Sequence, residues 1–183
     1  MTALRIRQLR TPELKAGEVR AIRALLDSAF RGDQRGGFAE DDWQHALGGL
    51  HFVADEQESI VGHAAVVERE LHIGGVPLRT GYVEAVATDP GRQGRGIGSM
   101  LMRDVGAHIA ERYQLGALGT GSHRFYERLG WATWRGPSSV RTPDGERPTP
   151  EEDGYILVLR TPSSPALDVT APISCDWRPG DVW

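Results

Sequence analysis

Gln93-Gly94-Arg95-Gly96-Ile97-Gly98 is the stretch of this chain whose residue types state a chemistry most plainly. Glycines at 94, 96 and 98 let the backbone turn tightly and leave N–H groups bare, and a helix predicted to begin near Ile97 adds the positive end of its dipole. The chemistry this allows is the holding of a phosphate or diphosphate; on the glycines alone, a purely structural turn is the commoner alternative. Two nucleotide motifs can be tested directly. The chain has no Gly-x-x-x-x-Gly-Lys-Ser/Thr and no Gly-x-Gly-x-x-Gly, which argues against a P-loop nucleotidase and against a dinucleotide fold.

The elements around the turn follow from its flanks. Gly81 to Asp89 reads as a strand with Val83, Val86 and Ala87 as its apolar positions. Asp89-Pro90 ends it, because proline supplies no N–H and restricts the residue before it. Downstream, Ile97, Leu101, Val105 and Ile109 mark one face of a helix reaching about Tyr113, and Leu115 to Leu118 has the character of a buried strand. A helix between two strands predicts that this pair is parallel, the one crossover in an otherwise meandering antiparallel sheet.

The remaining chain supplies the frame. Leu4 to Leu9 reads as a first strand and Thr11-Pro12 as a turn, with Thr11 placed to cap a helix that runs to Phe30 on the stripe Val19, Ile22, Leu26, Ala29, Phe30. Arg31 to Gly37 is a loop, and Glu40 to Leu47 a short helix whose acidic first turn either complements the dipole or rims a cation site. His51 to Ala54 and Ile60 to Val67 read as a hairpin, with His63 as a hydrogen-bonded core histidine rather than a metal ligand. Gly74-Gly75 is a second turn. Ser122 is placed to cap a short helix that carries Tyr126 and ends at Gly130, and Trp131 to Trp134 starts another strand. Pro137 to Pro150 reads as a loop or extended excursion, with a hairpin turn available at Asp144-Gly145, and Tyr155 to Leu159 as a central strand. The last eight residues hold two tryptophans and two aspartates, unlike a frayed end, and are expected to pack.

At 183 residues, with 39% hydrophobic and 25% charged residues, one domain over 1–183 is expected. A net charge of −4 argues against nucleic acid and favours basic ligands. The chain has neither a run approaching the roughly 18 apolar residues of a membrane span nor an apolar signal core, so no membrane partner and a cytoplasmic location are expected. Cys175 is the only cysteine, which excludes an intrachain disulfide and a cysteine-based metal cluster; a buried thiol is a commoner reading of it than a nucleophile.

The segment Gln93 to Gly98 resembles the Gln/Arg-x-x-Gly-x-Gly/Ala pyrophosphate loop of the GCN5-related N-acetyltransferases (GNAT), and Arg124-Phe-Tyr-Glu-Arg-Leu-Gly-Trp131 resembles that family's Phe-Tyr-x-x-x-Gly-Phe/Trp helix. The resemblance covers about residues 4 to 160. It implies an α+β fold with a mixed, mostly antiparallel sheet, splayed at its central parallel strand pair and flanked by helices. Acetyl-coenzyme A is the implied co-substrate, held by Val86, Thr88, Gln93, Gly94, Arg95, Gly96, Ile97, Gly98 and Ser99, with no metal. Tyr126 matches the tyrosine that protonates the leaving thiolate; its bland alternative is a core aromatic. An amine is largely protonated at neutral pH, so a base must deprotonate it before it attacks the thioester, and Glu84, just upstream of the loop, is the candidate. Backbone N–H groups near Val86 are candidates for binding the developing oxyanion.

A narrower resemblance rests on Phe30 to Asp33, Asp42-Trp43, Leu47 to His51, Gly81 to Ala85, Tyr113 to Ala117 and Cys175 to Trp183. Together these are similar to the aminoglycoside 2′-N-acetyltransferases, antibiotic-resistance enzymes, along nearly the whole chain. The similarity implies a polycationic aminoglycoside held by Asp33, Asp42, Glu84, Glu152, Asp181 and Trp183 with its terminal carboxylate, and a tail 161–183 packed against that site. A homodimer is also expected. Two departures stand out: Gly119 to Arg124 replaces a serine-rich stretch, and the Arg31 to Phe38 loop carries an extra Gln-Arg-Gly-Gly. Both point to a smaller or less charged aminoglycoside such as kasugamycin as an alternative to deoxystreptamine drugs.

Overall fold

The computed structural model describes residues 4–32 and 37–183; the expected site residue Asp33 and most of the glycine-rich loop around it lie outside the described residues. In chain order the elements are β1 (Arg5–Arg10), α1 (Ala16–Ala29), α2 (Glu40–Ala46), β2 (Leu50–Glu56), β3 (Ser59–Ile73), β4 (Val76–Thr88), α3 (Ile97–Arg112), β5 (Leu115–Gly119), α4 (His123–Glu127), β6 (Ala132–Thr133), β7 (Ser138–Thr142), β8 (Gly145–Pro148), β9 (Ile156–Arg160) and β10 (Ile173–Asp176). They divide into two compact units. The first is drawn from Met1–Val67 and Val83–Val105, the second from Glu68–Tyr82 and Gly106–Trp183, so β3, β4 and α3 each contribute to both.

In the first unit β1 pairs antiparallel with β2, and β2 antiparallel with β3. Ile22, Leu25 and Leu26 of α1 and Trp43 of α2 pack with Val53 and Ala87 in one core, with Val19, Ala29 and Phe30 partly buried against it; the stripe expected for α1 is there, and Leu25 joins it. Gly62 matters here: a Cβ on it would stand 3.2 Å from both Ala54 Cβ and Ile97 Cγ2, so the bare glycine lets the start of α3 sit close on the strands. The Asp89 N–H donates to the Val61 carbonyl at 2.9 Å and pins the strand end just ahead of the glycine turn.

The second unit has the strand order β6-β9-β5-β4-β3-β10-β7-β8. β4 and β5 pair in parallel as expected, from Thr80–Leu115 to Tyr82–Ala117; the pairing ends there although β4 runs on to Thr88. That parting is the splay the resemblance implies. Gly81 and Gly116 face Ile109 of α3 at distances of 3.0 and 3.1 Å from an added Cβ, which seats the second half of that helix on the parallel pair.

Three expectations need correction. Thr11 does not cap α1: Glu18 accepts the Lys15 N–H at 2.9 Å in that role, and the Thr11 hydroxyl bonds His51 instead. Ser122 precedes α4 without a side-chain cap, its own N–H being taken by Thr120 Oγ1 at 3.0 Å. The 137–150 excursion, by contrast, takes the hairpin reading offered for it, β7 and β8 pairing antiparallel up to Thr142 and Gly145. The β4–β5 crossover is not the only parallel pair, because β10 pairs in parallel with β7. In the tail Trp183 is 5% exposed but Trp177 is 55% exposed, so the expected packing holds for one of its two tryptophans.

Candidate active site

The glycine turn lies in the first unit. Gly94 and Gly96 have φ of +78° and +81°, the left-handed region that glycine enters without penalty, and nothing stands within 4 Å of a Cβ on either. Ile97 opens α3, so the N–H groups of its first turn have no helical carbonyl to bond. The turn is bare, open and at a helix N-terminus, which suits a diphosphate. Arg95 and the neighbouring Arg92 are engaged by one carboxylate. Glu56, at the end of β2, accepts from Arg95 Nη2 at 2.7 Å and Nη1 at 3.1 Å, and pairs with Arg92 as well. The hydrogen bonds from Arg95, with the charge of Arg92 behind them, hold the Glu56 carboxyl below its ordinary range.

Upstream on β4, Glu84, Val86 and Thr88 are half-buried. Between the first two stands Ala85 with φ of +52°, which among the described residues is the only non-glycine positive φ outside the Gln57-Glu58 turn. Its carbonyl accepts from His63 Nδ1 at 2.8 Å. Asp42 is engaged at the start of α2, where it accepts the Ala39 N–H at 2.7 Å, and Glu40 pairs with Arg23. The acidic cluster therefore serves the helix N-terminus in the way the first of its two readings expected.

The second unit carries the rest. Tyr126 on α4 is 7% exposed, with Phe125 and Trp131 packed edge-on at ring centroids 4.8 and 6.1 Å away. Burial pushes its phenol up to about 12, so the hydroxyl keeps its proton and can act as a donor. Glu152 closes a single 3-10 turn, Pro150–Glu152, and its N–H donates to the Thr149 carbonyl at 2.9 Å. Thr149 Oγ1 in turn accepts the Trp183 indole N–H at 3.0 Å, and the Asp181 carboxylate accepts the Trp183 N–H at 3.1 Å. Glu152, Asp181 and Trp183 are thus brought into one neighbourhood. It adjoins the end of β5, where an added Cβ on Gly119 would lie 3.6 Å from the Trp183 carbonyl carbon and 3.7 Å from the Tyr82 hydroxyl.

Arg69, which sequence reasoning passed over, locks this tail. It is 6% exposed and donates to the Asp176 carboxylate at 3.1 Å, to the Asp176 carbonyl at 2.8 Å and to the Val182 carbonyl at 2.8 Å, with its guanidinium 4.7 Å over the Tyr82 ring. Cys175 is buried beside it, and its thiol, pushed up to about 11 by burial, donates to the same Val182 carbonyl. That is the structural reading of the lone cysteine.

Comparison with known proteins decides the family. Residues 10–134 match the acetyltransferase (GNAT) domain. The chain belongs to the GNAT acetyltransferases. An aminoglycoside 2′-N-acetyltransferase of Mycolicibacterium fortuitum is 40% identical to this acetyltransferase over 181 residues, spanning 97% of this chain and 91% of the relative. Among solved structures, the Escherichia coli N-acetyltransferase YhbS in complex with CoA superimposes with a TM-score of 0.64 at 21% identity, covering 96% of this chain and 91% of that one. A Brucella melitensis GNAT acetyltransferase in complex with acetyl-CoA gives 0.59 at 22%, with 92% and 95% covered. Both support the fold: a mixed sheet with flanking helices. Among the described residues no helix is long and apolar enough to cross a membrane.

Of the residues outside the sequence motifs, Arg69 alone carries a local signal. Arg69, Leu71 and Ile73 alternate as the buried positions of a β3 that runs well past Val67, so a two-residue period would have marked Arg69 as inward. His51 and His63 lie on adjacent strands, and only the register places them side by side: Phe52 faces Ala64 and Val53 faces His63. Glu56 carried no local signal.

Proposed function

We propose that this acetyltransferase transfers the acetyl group of acetyl-CoA to the 2′-amino group of an aminoglycoside. The observation that carries the reading is the 40% identity to an aminoglycoside 2′-N-acetyltransferase over 97% of the chain. Acetyl-CoA, when bound, supplies the acyl group as an activated thioester. Gln93 to Ser99 would hold its diphosphate with the bare N–H groups of the turn and of the first turn of α3, and Val86 and Thr88 would line the strand edge beside it. Glu84 takes the proton of the acceptor ammonium, because only the neutral amine is a nucleophile. The N–H of Val86 serves the oxyanion, and the Tyr126 hydroxyl, kept protonated by burial, gives its proton to the departing sulfur.

The acceptor is a polyamine, so its site needs several fixed anions or carbonyls. We assign Asp33, Asp42, Glu84, Glu152, Asp181 and Trp183 to it, with the 161–183 tail as a wall of the site within a single functional domain. The grouping of Glu152, Asp181 and Trp183 around Thr149 supports that assignment. Kasugamycin and deoxystreptamine drugs are both in range. A thiol-release assay with gentamicin, tobramycin and kasugamycin tests the reading: turnover with at least one is expected. Release with simple polyamines alone would make this a small-amine acetyltransferase, and acetyl-CoA binding with no turnover of any amine would make it a binding module.

A further inference from the structure

Thr11, His51 and His63 form a polar column through the first unit whose hydrogen bonds run in one direction. The Ala85 carbonyl can only accept, so Nδ1 of His63, 2.8 Å away, carries a proton. A neutral His63 then presents a bare Nε2, which accepts from the Nδ1–H of His51 at 3.0 Å. His51 Nε2 is left as the acceptor for the Thr11 hydroxyl at 2.9 Å, and Thr11 Oγ1 accepts the Gly48 N–H at 2.8 Å. Every ring nitrogen is used. Neither histidine has accessible surface, and the Trp43 ring lies 6.1 and 6.3 Å from the two imidazoles. Burial lowers His51 to about 4 and His63 to about 3, which keeps the column neutral at physiological pH.

The column ends on the strained residue of β4. A non-glycine residue at φ of +52° costs about 1 kcal/mol or more, and such a conformation persists only where its surroundings hold it. Ala85 stands directly between Glu84 and Val86. The second buried histidine and the threonine behind it satisfy the remaining ring nitrogens, each of which would cost about 1–3 kcal/mol if left bare, and so hold His63 in the tautomer that donates to Ala85.

We propose that His63, backed by His51, is a positioning residue of the acetyl-transfer site: its Nδ1–H fixes the Ala85 carbonyl and with it the backbone that carries Glu84 and the Val86 N–H. This rests on the roles assigned above to Glu84 and Val86. Displacing a base or an oxyanion donor by about 1 Å costs up to about 100-fold in rate, whereas the glycine turn that would hold the co-substrate is untouched by the column.

Nitrogen-15 NMR of histidine-labelled protein tests the column without any substrate. The neutral Nδ1–H tautomer is expected at both His51 and His63, and the Nε2–H tautomer at His63 would overturn the proposal. His63→Leu should speed hydrogen exchange at the Val86 amide and lower kcat by about 10- to 100-fold, with the Kd for acetyl-CoA changed by less than about threefold. His63→Asn, whose side-chain amide replaces the Nδ1 donor, should recover most of both. Unaltered Val86 exchange in His63→Leu, or equal losses in the Leu and Asn variants, would reduce the column to core packing. A wild-type enzyme silent on every aminoglycoside would overturn the substrate reading, while the tautomers and the Val86 exchange would still decide the column.

Discussion

His63 in the first unit and Arg69 in the second are both buried polar residues of β3, and each holds backbone carbonyls in place, but by opposite means. His63 donates one neutral hydrogen bond to Ala85 and hands its other nitrogen to His51. Arg69 donates to two carbonyls and a carboxylate as a permanent cation, stacked on Tyr82. A neutral column avoids the cost of burying charge, but it fails when acid protonates its acceptor nitrogens. An arginine hub is indifferent to pH near neutrality but leaves several acceptors stranded if it is removed. The base candidate Glu84 lies beside the first kind of support, and the substrate candidates Asp181 and Trp183 beside the second.

The largest expected effect is on the chemistry each support serves. Glu84→Gln should lower kcat by about 100-fold or more, the usual range for removing a general base, and should erase the acidic limb of the rate–pH profile. A limb that survives would move the base elsewhere. Arg69→Leu should cost about 3 kcal/mol in chemical denaturation and weaken aminoglycoside binding more than acetyl-CoA binding by calorimetry, because the tail loses its anchor at Val182 and Asp176. A cost below about 1 kcal/mol would show that Cys175 and Thr149 hold the tail without it.

Acid separates the two supports more finely. His51 and His63 have folded pKa values of about 4 and about 3, below the ordinary histidine value, so between that value and pH 4 the unfolded chain binds protons that the folded chain does not. Their contribution to stability is therefore full at neutral pH and is lost as pH falls, by about 2 kcal/mol for each histidine between pH 7 and pH 5. In His63→Leu this slope should flatten, whereas Arg69→Leu should keep it. An unchanged slope in His63→Leu would mean that the carboxylates, not the histidines, govern the acid limb.

The smallest effect concerns the glycine turn. Glu56→Gln removes an anion that now engages Arg92 and Arg95, so acetyl-CoA should bind a few-fold tighter by calorimetry, with the midpoint of chemical denaturation little changed. Weaker binding would mean that Glu56 sets the shape of the turn instead of competing for its charge.

The same contrast explains what could be read from the sequence. The glycine turn and the helix after it are contiguous, and their spacing alone gave strand, turn and α3, since glycine conformation and apolar period are local properties. The β4–β5 parallel pair followed from one connection rule. His51, Arg69 and Glu56 act across strands, through a register that no local pattern fixes. β10 was missed for a related reason: Ile173 to Asp176 is short, lies beyond a Ser/Pro-rich passage, and becomes a strand only because β3 and β7 flank it. The carboxylates of the proposed acceptor site were legible solely through resemblance, because an exposed Asp or Glu carries no signal of its own.

Transfer to one amine of one class of substrate is what the proposed site is built for. Carbon and proton NMR of the product formed from tobramycin or kasugamycin with acetyl-CoA tests it most directly. A single acetyl group on the 2′-nitrogen is the result expected; acetylation at any other amine, or no acetylated product from either drug, would contradict it.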